Sequence, residues 1–418
     1  MMNINVDCLI KRTIILPILF LVFLSSKAQS YVCTIEGSTT DTETTKIYLV
    51  ESGADIRTSS GVITIPVENG RFNYVLKGKE KQYYQLIADN HYHQGCIRAA
   101  YIIAENQHVV VTMGRADGDQ VTVKGNGKET RMLQRCKDEI DAVYAPKIAV
   151  MDQKQDSLES LLKRHIESLS PSEKESFLND LQTPHSKTPL IAAYQQNDNE
   201  YRALLDEEML ATAKWLDAHP CIYGLFNIKE TLSAYRASSN VTTPFLIRSY
   251  QQTYSKKYRQ HPYHESIKNS LQSLELVPGN HYINYTVSLP DGKQAEISSL
   301  YTGKVIYIDL WASWCGPCRK HAKELIPIYE KYKDKGFQII GIARETKAEN
   351  MQKAIQQDQY PWLCLLELND QNQVWLKNGI SNAAGGGVPH FKRRYDSLRL
   401  SRCRRNRTST QEAFGMIL

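Results

Sequence analysis

Two cysteines three residues apart, Cys315 and Cys318, stand in the segment Asp309-Leu310-Trp311-Ala312-Ser313-Trp314-Cys315-Gly316-Pro317-Cys318. At the start of a helix that spacing can close a small disulfide. Cys315 would then occupy the helix N-terminus, where unpaired amides and the macrodipole stabilise a thiolate and make its sulfur the attacking one. Cys318, one turn further on, is expected to be buried and to resolve a mixed disulfide. Pro317 in the first turn costs no helical hydrogen bond, and Trp311 and Trp314 are placed to shield the pair. The same spacing could be half of a zinc site, or chance. Zinc needs two further ligands; His321 is close in sequence, but there is no second Cys-x-x-Cys.

Such a pair needs a strand to deliver it and a helix to receive it. The apolar run at 305–310, broken only by Asp309, reads as a buried parallel strand. The pattern then predicts a helix over 315–332, a buried strand at 337–342, a helix at 348–357 and a strand at 363–368. Strand–helix–strand alternation implies a parallel sheet with helices on its faces. Val277-Pro278-Gly279-Asn280 marks the start of this unit, and Leu289-Pro290-Asp291-Gly292-Lys293 is a turn within it.

These residues resemble the thioredoxin superfamily, and more closely the exported TlpA/ResA-like thiol–disulfide oxidoreductases. The resemblance rests on 311–318 and the strand before it. It extends through Tyr329-Glu330-Lys331-Tyr332-Lys333-Asp334-Lys335-Gly336-Phe337 and takes in Gly387-Val388-Pro389, so it covers residues 280–391. It implies an α/β thioredoxin-like domain with a redox disulfide Cys315–Cys318 and neither cofactor nor metal. It also implies that Asp309, six residues before Cys315, is the buried acid that relays a proton to or from the resolving sulfur, with a pKa raised by burial. Pro389 would lie against the disulfide after a cis peptide bond, and the backbone of Val388 would pair with the substrate chain. Trp314, Gly316 and Pro317 would complete the substrate-facing surface.

After Phe391 the chain departs from that pattern. Where the family continues with a β-hairpin and a closing helix, this sequence reads Lys392-Arg393-Arg394-Tyr395-Asp396-Ser397, followed by Arg402, Arg404, Arg405 and Arg407. The pattern stops as a shifted reading frame would make it stop. We expect 392–418 to be an atypical basic tail and the domain to be incomplete at its C-terminus.

Upstream, two regions differ in character. Short β-branched or aromatic runs at 31–38, 46–51, 62–67, 71–76, 83–88, 101–103, 108–113 and 121–124 predict an all-β sandwich over 31–127, with Glu68-Asn69-Gly70 as a hairpin turn. His91, His93 and Cys96 could be metal ligands, but Asn90 and Gly95 beside them suggest a polar loop. Residues 128–279 carry apolar residues at helical spacing, such as Leu158, Leu161, Leu162, Ile166 and Leu169. Pro171, Pro184, Pro189, Pro220, Pro244 and Pro262 divide this stretch into several helices, and a linker or docking region is expected. The two regions resemble the modules of uncharacterised function that precede TlpA-like domains in exported bacterial proteins.

Lys11 and Arg12, a twelve-residue apolar run from 13 to 24, and Ser26-Lys27-Ala28 read as a signal peptide over 1–28. The run is shorter than the roughly 20 residues that a spanning helix needs; an uncleaved signal would be a membrane tether. Export to the periplasm or cell envelope is expected, where disulfides persist. Nine cysteines in 418 residues are too sparse for a disulfide scaffold. The net charge of +6 resides in the tail, because the remaining residues balance. Nothing therefore suggests a nucleic-acid face on the body.

The expected activity is thiol–disulfide exchange that reduces protein disulfides, drawing electrons from a membrane-embedded thiol donor. A binding or scaffold protein with an inert redox domain is the alternative from another class. A thiol peroxidase is a lesser one, because 310–314 lacks the Thr which that chemistry places close before its cysteine.

Overall fold

The computed structural model describes residues 30–94, 98–115, 121–233, 241–277, 280, 282–302, 305–380 and 386–388. Residues 1–29, Cys96, Pro389 and the tail 392–418 lie outside them, and with them the expectations of a signal peptide, a cis-proline and an atypical C-terminus.

The chain is multidomain. Its N-terminal region holds β1 (Tyr31–Thr39), β2 (Lys46–Glu51), β3 (Ile63–Pro66), β4 (Arg71–Gly78), β5 (Gln82–Ala88), β6 (Ala100–Ala104), β7 (Gln107–Met113) and β8 (Thr122–Gly125). They form two four-stranded sheets, ordered β4-β1-β7-β8 and β3-β2-β5-β6. Alternate residues turn inward, as the period-2 pattern requires. Ile35, Ile47, Leu49, Ile65, Leu86, Val109 and Val111 thereby share one core between the sheets. The pairing of β1 with β7 is parallel, which hairpin signals do not reveal.

The expected polar loop around His91 is instead a short helix, α1 (Asp89–Gln94). His91 is fully buried in it, with Nε2 3.9 Å from the Asp41 carboxylate. Its ring fills interior space that a solvated loop would leave open.

The middle region contains α2 (Lys128–Ser168), α3 (Pro171–Leu181), α4 (Pro189–Ala218), α5 (Ile222–Ser233), α6 (Thr242–Ser249), α7 (Ser255–Lys257) and α8 (Tyr263–Ser273), with a π-helical stretch Tyr250–Tyr254 before α7. Ser170 and Glu173 form a capping box at the start of α3, and Pro171 and Pro189 open their helices where a missing N–H costs nothing. This region packs directly on the sandwich. Tyr83 and Ile103 join the core of Leu225, Phe226, Tyr254, Tyr263 and Ile267, and the Tyr263 hydroxyl accepts the Tyr83 N–H at 2.9 Å. Among the described residues no helix is long and apolar enough to cross a membrane.

The C-terminal domain comprises β9 (Thr286–Ser288), β10 (Gln294–Glu296), β11 (Val305–Trp311), α9 (Gly316–Tyr332), β12 (Phe337–Glu345), α10 (Ala348–Asp358), β13 (Leu363–Leu368), α11 (Val374–Lys377) and β14 (Gly386–Val388). Its sheet runs β10-β9-β13-β12-β11-β14. Strands β11, β12 and β13 are parallel and β14 is antiparallel to β11. Ile308 and Leu310 point to the core that holds Ile340, Ile342, Leu365 and Trp375. Tyr307 and Trp311 point to the other face, against Ala322, Leu325, Met351, Ala354, Trp362 and Cys364. By the same alternation Asp309 lies on the face covered by α9 and α10.

Beneath the turn that follows β11 the core is tight. A Cβ at Gly341 would stand 3.1 Å from Trp311 Nε1, 3.2 Å from Cys364 Sγ and 3.3 Å from Trp362 Nε1. Gly341→Ala is therefore expected to destabilise the C-terminal domain by about 1–3 kcal/mol through overpacking. Denaturant unfolding of the whole chain measures this; an unchanged midpoint would mean that the three neighbours can give way.

Candidate active site

Strand β11 ends at Trp311 and the chain turns through Ala312, Ser313 and Trp314 into α9. Cys315 is the N-cap residue of that helix (φ −88°, ψ 91°), and its sulfur accepts the backbone N–H of Cys318 at 3.2 Å. Pro317 lies in the first turn. Cys315 and Cys318 are joined as a disulfide with a Cα–Cα distance of 5.3 Å. Gly316 and Pro317 are exposed, as a substrate-facing loop would be.

The expectation that Cys318 is buried is not met. Cys315 is 5% exposed, whereas Cys318 is only half-buried. Being buried does not remove Cys315 from the helix terminus, so its electrostatic advantage as a thiolate remains.

Asp309 is 3% exposed. Its Oδ2 has no hydrogen-bond partner among the described residues. Loss of hydration pushes its carboxyl up to about 7, because burial in apolar surroundings disfavours the charged form. The acid is thus able to hold or release a proton near neutrality. Cys364, on the same face of the sheet, has its thiol pushed up to about 12, chiefly by burial and also by the Asp309 charge; it is inert as a nucleophile. His321 is half-buried, and its Nε2 lies 3.1 Å from the Tyr307 hydroxyl. Burial lowers its pKa, favouring the neutral ring.

Several residues that hold the site were not found from the sequence. Glu345, at the end of β12, is fully buried and accepts the Ser313 N–H at 2.5 Å and the Ser313 hydroxyl at 2.9 Å. Burial raises its pKa, opposed by those bonds. Arg319, immediately after Cys318, donates to the Ser313 carbonyl at 3.3 Å and forks onto Asp358 at 2.6 and 3.0 Å. Hydrogen bonding from Arg319 holds the Asp358 carboxyl down at about 2. Both peptide groups of the turn are thereby fixed from outside it. An acid closing an apolar strand was the available signal for Glu345, the same signal that singles out Asp309.

Val388 belongs to β14 and pairs with Ile308 of β11. Pro389, which follows it, lies outside the described residues. Among those residues there is no cluster of three metal-ligating side chains.

A mixed sheet with the parallel strands β11, β12 and β13 at its centre and helices on its faces, and a Cys-Gly-Pro-Cys disulfide at the N-terminus of the helix leaving β11, define a thioredoxin-like redox domain. Residues 279–382 match the Redoxin family model. The chain is similar to the thiol-disulfide oxidoreductase ResA of Bacillus cereus, 38% identical over 65 residues, which are 15% of this chain and 37% of that protein. It is also similar to probable nucleoredoxin 1 of Arabidopsis thaliana, 29% identical over 143 residues, covering 33% of this chain and 22% of the relative. Among solved structures, the thioredoxin domain of a thiol-disulfide oxidoreductase from Bacteroides vulgatus is 28% identical. That match has a TM-score of 0.24 and covers 26% of this chain and 77% of that one. The chain spans little more than a third of the length of its ResA relatives. Its C-terminal domain is TlpA/ResA-like, of the thioredoxin-superfamily type.

The raised pKa of Asp309 has a measurable consequence. Between the ordinary carboxylate value of about 3.9 and the folded value of about 7 the folded state binds more protons than the unfolded one. Asp309 therefore leaves stability intact below about pH 4 and lowers it as pH rises through about 7, by at most about 4 kcal/mol. Asp309→Asn is expected to flatten that fall, which urea unfolding at about pH 4.5 and about pH 8 will read. An identical pH slope in both proteins would show that Asp309 does not titrate near neutrality.

Proposed function

We propose that this chain is an exported thiol–disulfide oxidoreductase that reduces disulfides in protein substrates through Cys315 and Cys318. The observation that carries the reading is the placement of Cys315 at the N-cap of α9, its sulfur accepting a helix-end amide. In the reduced protein the Cys315 thiolate attacks one sulfur of a substrate disulfide. A Cys315–substrate disulfide forms and one substrate thiolate leaves. Cys318 then attacks Cys315 Sγ, the intramolecular disulfide closes, and the second substrate thiolate departs. Two electrons pass to the substrate, whose two thiolates take up protons from solvent. Asp309 accepts the proton that Cys318 must lose before it can attack, directly or through a water.

Trp314, Gly316 and Pro317 form the surface on which the substrate lies, and the β14 backbone at Val388 pairs with it. Pro389 supports that contact from beside the disulfide. Resetting the pair requires a dithiol donor, and for an exported protein a membrane-embedded thiol carrier fits. The N-terminal apolar run supports export, and the helical region is a linker or docking region.

Reduction of insulin by the purified chain tests the reading. Cys315→Ser is expected to abolish turnover. Cys318→Ser is expected to accumulate a mixed disulfide with substrate, visible by mass spectrometry, whereas trapping at Cys318 in Cys315→Ser alone would reverse the roles. Alkylation of the reduced protein at mildly acidic pH gives an independent check. Thiolate character favours Cys315 and solvent access favours Cys318, and we expect Cys315 to label first.

A further inference from the structure

The β-sandwich reaches the redox site. The loop between β2 and β3 is anchored at its root, where Lys229 of α5 pairs with Glu51 at 3.2 Å and donates to the Ser52 carbonyl at 3.2 Å. Asp55 then accepts the N–H groups of Thr58 and Ser59 at its carbonyl, at 3.0 and 2.8 Å. Its carboxylate takes the Arg57 guanidinium in a fork at 2.9 and 2.6 Å. Two polar contacts tie the loop to the redox domain. The Thr58 hydroxyl donates to Asp370 at 2.8 Å, and Arg344 of β12 lies 3.8 Å from Asp55 while also binding Asp370. Asp55, Thr58 and Arg344 are all buried, so this polar joint is largely shielded from water.

Held in that way, the Arg57 guanidinium lies 3.9 Å from the ring centre of Trp314, the residue immediately before Cys315. Trp314 Nε1 is shut off from solvent with no hydrogen-bond partner among the described residues, and Cys315 is itself buried. Attack on a disulfide requires the attacking, central and leaving sulfurs to come nearly into line. A disulfide in a small molecule or an extended segment can enter past a fixed loop in that alignment. One held flat in the surface of a folded protein must first displace Arg57 from the indole.

We propose that residues 55–58 are a lip on the redox site that selects small or extended disulfides over those held in a folded protein surface. Arg57 is the specificity-determining residue, because it occupies the indole face on which a broad substrate would pack. This rests on the thiol–disulfide exchange reading above and specifies its substrate class.

The test compares two substrates, native insulin and a linear peptide dimer joined by one disulfide, reduced by the full chain and by Arg57→Ala, Arg57→Lys and Thr58→Val. The wild type is expected to favour the peptide dimer. Arg57→Ala should raise the insulin-to-peptide ratio of kcat/KM about fivefold, the scale of one cation–π contact that no longer has to be broken. Thr58→Val, which cuts the joint to Asp370, should move the ratio the same way. Arg57→Lys keeps the charge and loses the flat stacking, so its ratio should fall between those of wild type and Arg57→Ala. A merely structural role would lower both rates together, and an unchanged ratio in all three variants overturns the lip. A wild-type chain that reduces neither substrate overturns the exchange reading, and the lip with it.

Discussion

The peptide groups of Ser313 are tied on both sides, the N–H to Glu345 and the carbonyl to Arg319. Everything the redox domain can do depends on that turn, because it sets where the first amides of α9 point relative to the Cys315 sulfur. A disulfide alternates between bonded and open states, and a turn carried only by its own hydrogen bonds would relax when the bond opens. Glu345 and Arg319 are in turn fixed from β12 and from Asp358 at the end of α10. The tight cluster around Gly341 closes the space beneath. The sheet therefore acts as a frame for one turn, and the turn as a frame for one sulfur.

Asp309 stands in tension with that frame. A carboxyl buried without a partner on one oxygen costs stability whenever it is charged, and the domain retains it directly below the helix that carries the disulfide. The sandwich and helical regions bear on the same balance from outside. They form a continuous packed body through Tyr83, Phe226 and Tyr263, and α8 touches the redox domain where Asn269 donates to Gln373 at 3.0 Å. The joint at Asp55, Thr58, Arg344 and Asp370 lies on the same side as the reactive turn, and Arg344 directly precedes Glu345 in β12. One strand end thus meets both the domain interface and the turn that leads into α9.

The parts legible in the sequence were those written locally. Cys315, Pro317 and Cys318 sit within four residues, and the strand before them announces itself by an unbroken apolar run. Asp309 is conspicuous because it alone interrupts that run. The alternation of β1, β4 and β7 and the helical spacing of 128–279 gave the layers. What escaped was assembled from afar. Thr58 and Asp370 are 312 positions apart, and no local pattern joins Arg57 to Trp314. Arg319 and Asp358 read as surface charges on two helices until the fold brings those helices to the same edge. The half-buried position of Cys318 was not legible locally either.

Four of the five tryptophans, Trp311, Trp314, Trp362 and Trp375, lie in the redox domain, and the indole nitrogen of each is buried without a hydrogen-bond partner among the described residues. The fifth, Trp215, bonds to Glu139 in the helical region. The tryptophan fluorescence of the chain is therefore mostly a signal from one domain, and the disulfide next to Trp314 is a natural quencher of it. Far-ultraviolet circular dichroism, by contrast, is dominated by the long helices of the middle region. The two optical signals divide the molecule between them, so that its redox state and the melting of its separate parts can be followed in the unlabelled protein.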